Sequence, residues 1–107
     1  MSIYVNSLKE DLSRVRRNIE SYQRRILEYP SGSLMIRTIN NHNYIYLKYR
    51  KDGKVIQEYV APFDEDKYDQ LVNDIVQRKQ LQKELKNLII EEKEMVKALK
   101  ALGVKYV

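Results

Sequence analysis

The stretch that decides the fold is NYIYLKYRKDGKVIQEYV, residues 43–60. Apolar and polar side chains alternate on both sides of Asp52-Gly53, a dipeptide that strongly signals a two-residue hairpin turn. Tyr44–Arg50 is expected as one strand and Val55–Val60 as the next. Working backwards, Leu34–Ile39 is an earlier strand, joined through Asn40-Asn41 because asparagine tolerates the left-handed backbone of a tight turn. Each turn sets a register by itself. A turn at 52–53 pairs Arg50 with Val55, Lys48 with Gln57 and Tyr46 with Tyr59. A turn at 40–41 pairs Arg37 with Tyr44, Met35 with Tyr46 and Leu34 with Leu47.

Both registers sort the side chains into the same two faces. One carries Leu34, Ile36, Ile45, Leu47, Tyr49, Ile56 and Val60, with Thr38 and Glu58 near its edges, and reads as core. The other carries Met35, Arg37, Tyr44, Tyr46, Lys48, Arg50, Gln57 and Tyr59, a tyrosine patch ringed by cations. A slip of one residue would mix the two sets, so their agreement supports the meander.

Helices flank it. From Met1 through Val5, Leu8, Leu12, Val15, Ile19, Tyr22 and Ile26 to Tyr29 the apolar spacing alternates four and three, which predicts a helix over 2–29 packed along a partner helix. Pro30 stops it, and Ser31-Gly32-Ser33 supplies the turn into the sheet. Pro62 ends the sheet, Asp64 is an N-cap, and Gly103 is a C-cap for a second helix over 64–102. Its apolar stripe changes phase: Tyr68, Leu71 and Ile75 form one run, Leu81, Leu85, Leu88, Met95, Leu99 and Leu102 another. A change of packing partner near Val76–Lys79 accounts for this, as would a stammer in one continuous seam. The expected fold is one α+β domain over 1–107: long helix, three-stranded antiparallel meander (34–61), longer helix. The helices form an antiparallel coiled-coil pair with the sheet at one end.

The 107 residues suffice for a small core, not for a roomy catalytic cleft. The chain has no cysteine, which removes disulfides and thiolate metal sites, and no apolar run near the ~20 residues of a membrane span. A cytoplasmic protein is the expectation. The net charge is +5, and residues 1–63 hold eleven Lys/Arg against six Asp/Glu while residues 64–107 hold nine of each. The excess therefore lies on the first helix and the sheet, where it favours phosphate or an acidic protein surface. His42 is the only histidine and lies beside a turn; glycine-rich phosphate loops and the common hydrolase and metalloprotease motifs are absent. The expectation is a non-enzyme without cofactor, metal or small-molecule ligand.

The candidate contacts are Arg37, Tyr44, Tyr46, Lys48, Arg50 and Tyr59 on the open face, with Lys51 and Lys54 at the hairpin tip. Aromatic rings that stack on bases, beside cations that meet phosphates, are how sheet platforms hold nucleic acid. The same residue types anchor protein interfaces, and tyrosine is common on solvated strands. Arg14, Arg17, Arg24 and Arg25 form a basic stripe on the first helix, either a solvated face or a ridge tracking phosphates.

The run Gly32-Ser33-Leu34, Arg37, Tyr44-Ile45-Tyr46-Leu47, Tyr49-Arg50, Asp52-Gly53-Lys54-Val55 and Tyr59, flanked by charged helices, resembles a group of small uncharacterised bacterial and phage proteins. That resemblance spans nearly the whole chain and implies the same helix–sheet–helix plan without an assigned activity. Over about residues 34–61 the strand pattern is also similar to the arm-binding domains of tyrosine recombinases. This second likeness implies DNA contact through the sheet by the same six face residues. Three functions follow as expectations: a nucleic-acid-associated binding module for DNA or RNA; a protein adaptor or phage-encoded inhibitor that docks on a host protein or nucleoprotein; and a homodimeric coiled-coil spacer.

Overall fold

Two tight turns set the sheet. Asn40 and Asn41 both have positive φ (53° and 67°), as do Asp52 and Gly53 (53° and 76°). Paired left-handed residues twist a two-residue loop in the sense the flanking strands require. The computed structural model, which describes residues 3–107, runs α1 (Ile3–Ile26), β1 (Ser33–Ile39), β2 (His42–Lys51), β3 (Lys54–Pro62), α2 (Glu65–Ala101). The sheet is an antiparallel meander in the order β1-β2-β3. All six pairings expected from the turns are present.

The register departs from the expectation at one place. Tyr46 still faces Tyr59, but Ile45 faces Ala61 and Tyr44 faces Pro62, so Val60 is an extra residue in a β-bulge. The core position opposite Ile45 belongs to Ala61, which is buried, rather than to Val60, which is half-buried. Beyond the bulge the Phe63 amide donates to the Asn43 carbonyl at 2.9 Å, which prolongs the ladder by one bond past Pro62.

The chain divides into two compact units. Glu28–Lys79 holds the sheet and the first turns of α2. Its core is Ile45, fully buried at the centre of β2, with Ala61 of β3 and Ile75 of α2. Asp64 caps α2: its carboxylate accepts from the Lys67 amide at 3.0 Å, and its carbonyl from the Tyr68 amide at 2.8 Å. The side chain of Arg78 donates to the Tyr29 carbonyl at 2.6 Å. This bond clarifies why α1 ends at Ile26, short of the expected residue 29. The residue before a proline disfavours helical angles, and the carbonyl of Tyr29, before Pro30, is satisfied by Arg78 outside any helix.

The second unit joins the chain up to Leu27 with Gln80–Val107. Its helices pack along the expected α1 seam: Val5, Leu12, Val15, Ile19 and Ile26 are buried, with Leu81 and Leu99 from α2. Met1, which opened that seam in the sequence, lies outside the described residues. Arg16 and Glu92 bridge the two helices at 3.2 Å, as an antiparallel pair allows. Gly103 (φ 92°) closes α2: the Gly103 amide donates to Lys100 and the Val104 amide to Leu99, both at 3.0 Å. The chain then turns back so that Val104 and Val107 pack against Val5, Leu12 and Leu99. One helix thus serves both units, and the division after Lys79 falls where the apolar phase changes.

Gly32 and Gly53 differ in kind. Both have positive φ, but a Cβ at Gly32 would run into the Lys48 carbonyl, whereas one at Gly53 meets open space. We expect Gly32→Ala to lower stability by ~2–3 kcal/mol and Gly53→Ala by about 1 kcal/mol. Urea unfolding of the two variants measures the difference, and equal losses would contradict the close approach.

Candidate functional site

The register brings Arg37, Tyr44, Tyr46, Lys48, Arg50 and Tyr59 onto one face of the sheet. Arg37 pairs with Tyr44, while Tyr46 lies between Met35 and Tyr59 across the three strands. The rings form a cluster rather than a flat stack. Tyr59 meets Tyr44 at 6.1 Å with planes tilted by 60°, and meets Tyr46 at 5.8 Å edge to face. Such pairs are worth ~0.5–1.5 kcal/mol beyond the area they bury, and they restrict the rotamers of all three rings. The Arg37 guanidinium lies over the Tyr46 ring, 5.0 Å from its centroid, so one face of that ring is already occupied. Tyr44 and Tyr46 are half-buried in this cluster; Tyr59 keeps 52% of its surface exposed and offers the most ring to a ligand.

Acidic charge is confined to one face of the sheet. Glu58 is the one carboxylate in the three strands, and it pairs with Leu47 on the core side. The tyrosine face carries Arg37, Lys48 and Arg50, all exposed, and no acidic residue. A cationic surface without internal neutralisation retains its field for an anionic ligand.

Lys51 and Lys54 sit elsewhere. They face each other across the Asp52-Gly53 turn, on the side of Tyr49 and Ile56 and not on that of the tyrosine cluster. Parity alone, counted on from Arg50, shows this. Arg14, Arg17, Arg24 and Arg25 belong to the other unit and are exposed. Arg14 is paired with Asp11 at 3.0 Å, and Arg25 lies 5.2 Å from the Tyr22 ring centroid. Other residues absent from the sequence expectation also lie on the tyrosine face, Ile39, His42 and Val55 among them. His42, paired with Ile39, ends it on one side; Val55, paired with Arg50, lies near the other. Among the described residues, no group of three His, Asp or Glu side chains is placed to hold a metal ion.

A family model described as Domain of unknown function (DUF6788) matches residues 6–71. The chain belongs to this family. The match takes in α1 from Asn6, all three strands and α2 as far as Leu71, so the DUF6788 stretch contains the whole tyrosine face. The remainder of α2 lies beyond it. No curated protein and no solved structure matches the chain. Among the described residues, no helix is long and apolar enough to cross a membrane.

On the covered side, Tyr49 hydrogen-bonds to Glu58, and that bond, with partial desolvation and the nearby negative charge, raises the phenol above its ordinary value of 10.0. The protonated phenol is the donor, so this contribution is complete below pH 10 and is lost as pH rises through the elevated value. Replacing Glu58 by Gln should bring Tyr49 ionisation back towards 10.0. Side-chain NMR titration of the tyrosine rings reads this directly, and an unshifted Tyr49 would contradict the hydrogen bond.

Proposed function

We propose that the chain is a non-catalytic, nucleic-acid-associated binding module that works through the tyrosine face of its sheet. The observation that carries this reading is an uncovered strand face with three clustered tyrosines, three exposed cations and no carboxylate. Arg37, Lys48 and Arg50 meet phosphates, and Tyr59, the ring with the freest surface, receives a base. The bases need not be read in sequence, since every base presents a π face. The likeness of the strand pattern to recombinase arm-binding domains points the same way.

A second reading has its own observation. Ile39 and Val55 are 43% and 50% exposed on this same face, and apolar residues beside Tyr and Arg also suit a protein partner, as a phage-encoded inhibitor would require. Salt separates the two. Three phosphate contacts give a salt slope of about −2 for a single strand, or roughly a twenty-fold loss of affinity between ~50 and ~200 mM salt.

Fluorescence anisotropy with labelled single-stranded and duplex oligonucleotides makes the test. Arg37→Ala and Arg50→Ala should each reduce the slope by about 0.7, and Tyr59→Ala should cost ~1–3 kcal/mol with the slope retained. Absence of oligonucleotide binding at low salt, or binding indifferent to all three substitutions, sinks the nucleic-acid reading.

A further inference from the structure

We propose that the free edge of β1 is a homodimer interface, through which two copies join into one continuous antiparallel sheet. This stands apart from what the tyrosine face binds. In a hairpin closed by a two-residue turn, the residues flanking the turn exchange both backbone hydrogen bonds, and every second pair does so thereafter. Ile39 with His42, Arg37 with Tyr44, Met35 with Tyr46 and Ser33 with Lys48 are the bonded pairs. The N–H and C=O groups of Leu34, Ile36 and Thr38 therefore point away from β2, to the side where β1 has no neighbouring strand. Among the described residues, no backbone hydrogen bond from another element reaches them.

The other edge of the sheet is guarded and this one is not. β3 has a bulge after Tyr59, a proline at position 62 and charges at Lys54 and Glu58, all devices that discourage strand addition. β1 pairs along its whole length without irregularity, contains neither Lys nor Pro, and carries a single charge, Arg37. It also exposes apolar surface on both faces: Ile36 at 46% on one, Ile39 on the other. Leu34, next to Ile36 on its face, lines a shallow groove with Tyr68, Val72 and Val76, and both valines are exposed.

The occupant is a second copy because the strand is self-complementary. An antiparallel pairing centred on Ile36 bonds Ile36 to its counterpart and Leu34 to Thr38 of the partner subunit, which uses every outward backbone group. The same register sets Arg37 opposite Met35 of the partner subunit, so no cation meets a cation. A two-residue shift loses a bonded pair in either direction, and in one direction places Arg37 against Arg37 of the partner subunit. The arrangement is a two-fold, isologous contact, and it closes. Opposed residues in a pairing point to the same side, so the two tyrosine faces become one surface.

The chain has no cysteine, so one introduced thiol tests the pairing. Residues opposed in a bonded antiparallel pair have Cα atoms ~5.5 Å apart, within disulfide reach. Ile36→Cys should form a disulfide-linked dimer on mild oxidation at least about ten-fold faster than Gln57→Cys, the outward-facing counterpart on β3, because pairing raises the effective thiol concentration. By light scattering the native chain should have the mass of a dimer. Ile36→Arg, at an exposed position, should have that of a monomer with an unchanged circular dichroism spectrum. A native chain that stays monomeric at its highest soluble concentration overturns the proposal. So does cross-linking through Gln57→Cys as fast as through Ile36→Cys, or a dimer that survives Ile36→Arg.

Discussion

The structure depends on the handedness of two turns. Asn40-Asn41 and Asp52-Gly53 hold positive φ at both central positions, which only a few residue types accept at low cost. Each turn forces the pairing that follows it, and pairing forces parity. Had either turn taken one residue more, Ile45 would leave the core and the tyrosines would point into it. Everything at the candidate site follows from this: which cations share a face, which ring contacts which, and why the one strand carboxylate lies on the far side.

Parity also separates residues that look equivalent in sequence. Arg50 and Lys51 are neighbours, yet Arg50 joins the tyrosine cluster and Lys51 does not. Tyr46 and Tyr49 both belong to β2, yet one stacks with Arg37 and the other hydrogen-bonds to Glu58. These assignments need only the turn positions and a count by twos, so the face is legible in the sequence. His42 and Val55 follow from the same count and lay within reach of it.

α2 illustrates a different economy. Averaged over its length it has almost no amphipathic bias, because its first turns and its later turns bury different sides. The phase slip in its leucines marks that change. What the slip conceals is Arg78, which interrupts the apolar run and donates to the Tyr29 carbonyl, freed from helix by the proline after it. A polar residue at a seam position thus supplies a hydrogen bond that the approach of two distant segments leaves open.

By itself, then, the sequence determined the two helices, the three strands, their register and the separation of a core face from a tyrosine face. These are set by turn chemistry and by periodicity, interactions among residues close in the chain. Tertiary structure alone decided the bulge at Val60, the burial of Ala61 in its place, the early end of α1 and the use of Arg78. Each depends on where segments far apart in sequence meet, and on which backbone groups that meeting leaves to be satisfied.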